Sequence, residues 1–258
     1  MWFKIKSYLT FLIKSTNQHG VHSPFVFNLV TKCFYKKTNP SKITSFKKIR
    51  STLYKNNKVI TVTDFGKGSK VFKNNKRKVT DIAKIAGINQ KKGLLLIRFV
   101  SYFNFSNMLE IGTSVGLGTS TLSIANPSSK ITSLEGCPNT AKIAQDLFHK
   151  YQLQNIQLVT GNFKDTLSSC IKNKQFDFIY FDGNHQKEPT LNYFEECLQA
   201  IHNDSVFIFD DINWSKEMNE AWCEIKKHPK VTVTIDTFFW GFVFFRKELK
   251  KQDFRIRC

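Results

Sequence analysis

Apolar residues along this chain follow two periods, and from about residue 94 onward the two take turns. Short apolar runs at 108–111, 130–134, 156–160, 176–181 and 206–209 have the length and the branched or aromatic content of strands. Between them, residues 117–125, 139–151, 165–173, 190–202 and 216–228 repeat apolar positions every three or four residues, as amphipathic helices do. The run 176–181 is nearly all apolar, the pattern of a strand buried on both faces. Two further strands, 231–236 and 241–245, follow with only a short link and predict a hairpin. A series of this kind predicts an α/β fold with a doubly wound, mostly parallel sheet that ends in an antiparallel pair.

The first third reads differently. Residues 1–14 predict an amphipathic helix with Trp2, Ile5, Leu9 and Leu12 on one face and Lys4, Ser7 and Lys14 on another. The expectation is that its apolar face packs on the main domain, with a membrane-surface placement as the alternative. His22-Ser23-Pro24 predicts a helix start with Ser23 as cap and Pro24 in the first turn. Residues 36–57 are polar and basic, with helix and loops expected. Residues 61–70 resemble a glycine loop without a convincing strand before it, and Lys67 and Lys70 are candidates for gripping a substrate. Helices are expected at 78–86 and 94–103. These patterns divide the chain into a basic, mainly helical extension over 1–93, packed on the core, and a domain over 94–258.

The chemistry gathers where the strands end. The first core strand carries Glu110 and runs into a turn with Gly112, Gly116 and Gly118, followed by a helix. A glycine turn at a helix N-terminus lets a ligand lie against bare backbone. Phosphate would be repelled by a carboxylate at that tip, whereas a cationic ligand would be attracted. The second strand ends at Glu135-Gly136, where a carboxylate can accept from both hydroxyls of a ribose. The third runs into Gly161-Asn162, the fourth into Asp182-Gly-Asn-His185, and the fifth into Asp210-Asp211. In a doubly wound sheet the carboxyl ends of strands open onto one crevice. Carboxylates gathered there repel one another unless neutralised, and a hard divalent cation with oxygen ligands is one way to do it. The plainer alternative makes Asp182 and Asp210 ordinary strand-end acids, one of them a helix cap.

The spacing E-x-G-x-x-x-G at Glu110, Gly112 and Gly116 fits poorly to the dinucleotide fingerprint G-x-G-x-x-G. It resembles the first motif of class I S-adenosylmethionine-dependent methyltransferases, in particular the catechol and caffeoyl-CoA O-methyltransferase group, over roughly residues 94–246. That resemblance implies a seven-stranded Rossmann-like sheet with a C-terminal antiparallel hairpin. It implies S-adenosylmethionine as cofactor, held by Glu110, Gly112, Thr113, Ser114, Gly116, Glu135, Gly136, Asn162 and Asp182. Asn162 stands where the family more often has Asp. The metal-dependent members imply Mg2+ or another divalent cation on Asp182, Asp210 and Asp211, with Asp at 211 in place of Asn. They imply His185 as catalytic base beside Asp182, with His in place of Lys; histidine titrates near neutral pH and can take a hydroxyl proton. The run 18–27 also resembles methyltransferase-like bacterial proteins, a likeness that brings no substrate with it.

Charge adds a partner question. Residues 1–105 hold 22 Lys and Arg against Asp64 and Asp81, while residues 106–258 hold 17 against 18 acids, so the net charge of +19 belongs to the first part. Such a block attracts anions, and RNA, acidic lipid head groups and anionic small acceptors are the candidate partners. The expected activity is O-methylation of a small or anionic acceptor. The alternatives are an RNA-modifying methyltransferase using residues 1–105, a non-catalytic module on the same fold and, last, a dehydrogenase. Residues 182–184 lack the Asn-Pro-Pro-Tyr type of motif that amino-directed nucleic-acid enzymes often carry. The six cysteines show no metal-ligand spacing, the scatter of reduced thiols, so a cytoplasmic location is expected. No apolar run is long enough for a transmembrane segment. The sequence leaves oligomeric state open.

Overall fold

The computed structural model describes residues 2–63 and 74–258. They form two compact units, one of residues 2–35 and 171–258, the other of residues 36–170. The first unit opens with α1 (Trp2–Lys14) and α2 (Pro24–Leu29). The second holds α3 (Pro40–Tyr54), β1 (Val59–Thr61), β2 (Lys76–Lys78), α4 (Val79–Ile85) and α5 (Gln90–Phe103). It continues through β3 (Asn107–Ile111), α6 (Leu117–Ala125), β4 (Lys130–Glu135), α7 (Pro138–Lys150) and β5 (Ile156–Thr160) to α8 (Phe163–Ile171). The first unit resumes with β6 (Phe178–Phe181), α9 (Lys187–Cys197), β7 (Val206–Asp210) and α10 (Lys216–Lys227). It ends with β8 (Val233–Asp236), β9 (Trp240–Phe244) and β10 (Gln252–Arg255).

In the 36–170 unit, β3, β4 and β5 run parallel in that order, with Glu110 level with Ser133 and Glu135 level with Thr160. Parallel neighbours need crossover helices, and α6 and α7 supply them. Asn89 caps α5 by accepting from the Lys92 N–H at 3.0 Å, and Pro40 starts α3 behind Asn39. Gly93 lets α5 approach α3: a Cβ there would come within 2.5 Å of the Phe46 ring. The sequence expectation missed two short strands here. β1 and β2 pair antiparallel, so a strand does precede the glycine-rich loop. Lys67 and Lys70 lie outside the described residues.

In the other unit the strand order is β10-β8-β9-β7-β6. β6 and β7 are parallel, as are β8 and β10, while β9 runs antiparallel to both β7 and β8. The C-terminal hairpin is therefore present, made by β8 and β9. The mostly parallel, Rossmann-like fold has eight strands, one more than expected. The extra strand, β10, lies in a charged segment without the period-2 signal. It is fixed from outside: the Thr16 N–H donates to the Arg255 carbonyl at 2.9 Å and the Arg257 N–H to the Thr16 carbonyl at 3.0 Å.

Residues 2–35 pack through their aromatic and aliphatic side chains. Val26, Leu29 and Val30 are fully buried, and Phe25 and Phe34 lie 5.0 and 5.2 Å from Phe244 and Phe242 of β9. Ser23 caps α2 as expected. One expectation is overturned. The α1 face of Trp2, Ile5, Leu9 and Leu12 does not pack inward; those four side chains are exposed, and the buried residue is Phe11. Phe11 and Tyr8 both meet the ring of Phe238, at 5.6 and 4.8 Å, and this aromatic cluster sets the helix's rotation.

Trp240 and Phe238 are buried core; Phe239 is exposed. No disulfide joins any of the six cysteines. No helix among the described residues is long and apolar enough to cross a membrane.

Gly241 marks the tightest approach of α10 to β9, since a Cβ there would come within 2.6–2.8 Å of three carbons of the buried Trp222 ring. Gly241→Ala is expected to lower unfolding free energy by about 1–3 kcal/mol through overpacking. Urea denaturation of the two proteins measures this.

Candidate functional site

At the end of β3, Glu110 is fully buried. Its Oε2 accepts from the hydroxyls of Thr119 on α6 and Ser133 on β4, the latter at 2.6 Å. Thr113 Oγ1 lies 2.5 Å from Ser133 Oγ and extends the chain of hydroxyls. Glu110 Oε1 is buried with no hydrogen-bond partner among the described residues. Burial pushes this carboxyl up to about 7, with nearby Glu135 adding in the same direction and the Ser133 and Thr119 hydroxyls opposing it. A carboxylate with an open lone pair in dry surroundings is poised for a cationic group.

Around Glu110 the backbone takes conformations that side chains resist. Gly112 has φ +110°, Ser114 φ +51° and Gly116 φ +88°. A Cβ at Gly116 would also come within 2.8 Å of the Phe148 ring, so that glycine serves the packing of α7. The turn is held to the next strand: the N–H groups of Gly112 and Thr113 both donate to the Leu134 carbonyl at 3.0 Å, and Ser114 N–H donates to Glu135 Oε2 at 2.7 Å. The other oxygen of Glu135 accepts from Cys137 N–H at 2.8 Å and from the Thr140 hydroxyl at 3.0 Å. Burial pushes the Glu135 carboxyl up, against these hydrogen bonds. Gly136 lies inside the turn they close. Asn162 starts α8: its Oδ1 accepts from Lys164 N–H at 3.1 Å, a helix-capping bond.

In the other unit, His185 Nε2 lies 3.8 Å from Asp182 Oδ1, both partly exposed. That is an ionic approach, too long for a hydrogen bond. By the register of Phe181 with Phe209, Asp182 follows β6 and Asp210 ends the neighbouring β7, where it is buried. Asp211 leaves the strand with φ +52°.

Known proteins resemble this chain at this point. Residues 109–212 match the family model described as a methyltransferase domain. Residues 109–212 are a methyltransferase domain. The SAH-bound methyltransferase PaMTH1 of Podospora anserina superposes with TM-score 0.61 at 13% identity, over 88% of this chain and 97% of that one. An O-methyltransferase of Bacillus cereus in complex with SAH gives TM-score 0.55 at 19% identity, over 80% and 90%. The fold is thus that of S-adenosylmethionine-dependent class I methyltransferases. Ribosomal RNA small subunit methyltransferase G of Leuconostoc citreum is 30% identical over 73 residues, which is 28% of this chain and 30% of that protein. The chain therefore aligns with less than a third of that curated relative's length.

Within the methyltransferase domain the expected cofactor residues Glu110, Gly112, Thr113, Ser114, Gly116, Glu135 and Gly136 come together in the turns after β3 and β4. Sequence reasoning missed Ser133 and Thr119. A signal existed in each case: Ser133 is a polar residue inside an apolar strand, and Thr119 follows the glycine turn by one helical step. Among the described residues no group of three or more His, Cys, Asp or Glu is placed to hold an ion. Asp182, Asp210 and Asp211 stand at or just past the ends of two neighbouring parallel strands.

Glu135 satisfies buried N–H groups of two successive turns, and Glu135→Ala leaves both without an acceptor. The expected loss is roughly 2 kcal/mol or more of unfolding free energy, together with weakened binding of S-adenosylhomocysteine. Parallel urea denaturation and calorimetric titration test both effects.

Proposed function

We propose that this protein is an S-adenosylmethionine-dependent methyltransferase that methylates a hydroxyl group of a small or anionic acceptor. The single observation carrying the cofactor assignment is Glu110, a buried carboxylate with one unpartnered oxygen beneath a turn of positive-φ residues. It suits the ammonium of the cofactor's methionine part. Glu135 suits the ribose hydroxyls, sharing its oxygens with the N–H donors it already holds. When bound, S-adenosylmethionine supplies a methyl group already activated on sulfonium, so the chain has to align the acceptor and remove one proton. His185 is the proton acceptor in this reading, with Asp182 3.8 Å from its Nε2. The O-methyltransferase among the structural neighbours supports hydroxyl chemistry.

A second reading, methylation of RNA, is supported by the partial likeness to the ribosomal RNA enzyme and by the basic first third. Tight RNA binding that weakens steeply with salt would favour it. Acceptance of methyl from labelled cofactor by catechol-type hydroxyl compounds, and not by RNA, would favour the first.

Cofactor binding carries a pH signature. The Glu110 carboxyl, raised to about 7, must ionise to meet an ammonium. Affinity for S-adenosylhomocysteine is therefore expected to rise as pH climbs through about 7 and to level off above it. Below that point it falls up to about tenfold per pH unit. Calorimetric titration between acid and mildly alkaline buffers reads this, and Glu110→Gln should flatten the profile. PH-independent binding in the parent would remove Glu110 from the site.

His185→Ala is expected to cut turnover by about 10²- to 10⁴-fold while leaving S-adenosylhomocysteine affinity unchanged. Turnover in EDTA tests the divalent cation: full activity there removes it from the reaction. Loss of activity in chelator, restored by Mg2+, would retain it.

A further inference from the structure

Helix α1 is docked the wrong way round for a helix whose only task is to cover a core. At about 100° per residue, Trp2, Ile5, Leu9, Leu12 and Ile13 fall within an arc of roughly 100°. All five are exposed, Trp2 and Ile13 at 84%, Leu9 at 54% and Ile5 at 48%. Phe11, which holds the helix down, lies about 150° from the centre of that arc. The rotation is fixed by Tyr8 and Phe11 against Phe238, so the apolar stripe is presented to solvent by packing. The patch extends beyond the helix. Lys4 Nζ sits 4.1 Å over the ring of Trp214, itself 40% exposed, and Phe239, 43% exposed, stacks edge-on to Phe238 at 5.0 Å.

Charge chooses the occupant. Residues 2–35 contain Lys4, Lys6, Lys14 and Lys32 and no acid. Lys6 borders one edge of the apolar arc, and Lys4 lies past Tyr8 on the other. An apolar stripe with tryptophan at one end and lysines along its borders is the pattern of a helix lying in a lipid interface. At about 1.5 Å per residue, its 13 residues reach roughly 20 Å, too short to cross a hydrocarbon layer of about 30 Å. A second copy of the chain would oppose lysine to lysine. RNA would engage the lysines and leave Leu9, Leu12 and Ile13 without an apolar partner. An anionic bilayer satisfies both halves of the surface.

We infer that α1, with Trp214 and Phe239 beside it, is a docking surface for membranes that carry anionic lipid. The helix lies parallel to the membrane plane, its apolar stripe in the acyl boundary and its lysines among the head groups.

The test uses the full chain with vesicles of phosphatidylcholine alone and of phosphatidylcholine mixed with phosphatidylglycerol. Co-sedimentation is expected with the mixed vesicles only, falling as salt rises, with a blue shift in tryptophan emission that Trp2→Leu diminishes. The double variant Leu9→Ser/Ile13→Ser changes only exposed side chains, so it should fold normally and keep its affinity for S-adenosylhomocysteine. Its partitioning should drop by more than about tenfold. Lys6→Glu should weaken binding to the mixed vesicles. The inference is overturned by failure to sediment with either vesicle, or by equal sedimentation of parent and double variant. It is equally overturned if RNA strips the parent from vesicles, or if the parent dimerises and the double variant does not. Because cofactor affinity is read separately, a failed membrane result leaves the methyltransferase reading intact.

Discussion

The turn that follows β3 is suspended from the acid that ends β4. Ser114 N–H and Cys137 N–H donate to opposite oxygens of one carboxylate, Glu135, while Gly112 and Thr113 are tied to the carbonyl of the residue before it. These bonds hold open a backbone path with three positive φ values in five residues, a path the chain would otherwise abandon. Glu110, two residues before the turn, is buried with only one oxygen engaged, by the Thr119 and Ser133 hydroxyls. Burial raises both carboxyls, so the arrangement stores electrostatic cost at the point where a cationic ligand can relieve it. The geometry of the turn after β3 thus rests on a carboxylate whose first partners are the protein's own amides.

Much of this was readable in the amino-acid order, and the reasons are physical. β6 is apolar throughout and β7 is so up to Asp210, so their positions and the acids at their ends stand out. Helices α6 and α10 match their periodic segments closely. The hairpin of β8 and β9 announced itself by two strand patterns with a short link. Other features were hidden because they depend on distant partners. β10 is polar and pairs with β8 only where the segment around Thr16 closes over it, a contact no local pattern encodes. β1 and β2 are three residues each and too short for a period. The three aspartates were legible as acids at the strand ends.

Helix α1 shows a different limit of pattern reading. Periodicity correctly found a stripe of Trp2, Ile5, Leu9 and Leu12, and the usual inference points such a stripe at the core. The decision was made by two aromatic rings, Tyr8 and Phe11, that found Phe238 in the β8–β9 turn. Phe238 is itself held there by its N–H bond to Asp236 at 2.7 Å and by the Asn213 amide on its carbonyl at 2.9 Å. Aromatic contacts of this kind contribute about 0.5–1.5 kcal/mol beyond their area. That suffices to select one helix face over another when both are apolar.

The bridge between Thr16 and Ile256 joins residues from opposite ends of the sequence. During synthesis the first segment emerges long before the strands it packs against. Val26, Leu29, Val30 and Phe34 must then wait uncovered until β9 and β10 have left the ribosome. Closing a loop of that length is a late and slow event, so residues 26–34 stay uncovered while the intervening chain is made. A protein built in this way invites holding by chaperones early in its life, even though its middle portion already has the local strand–helix contacts to fold.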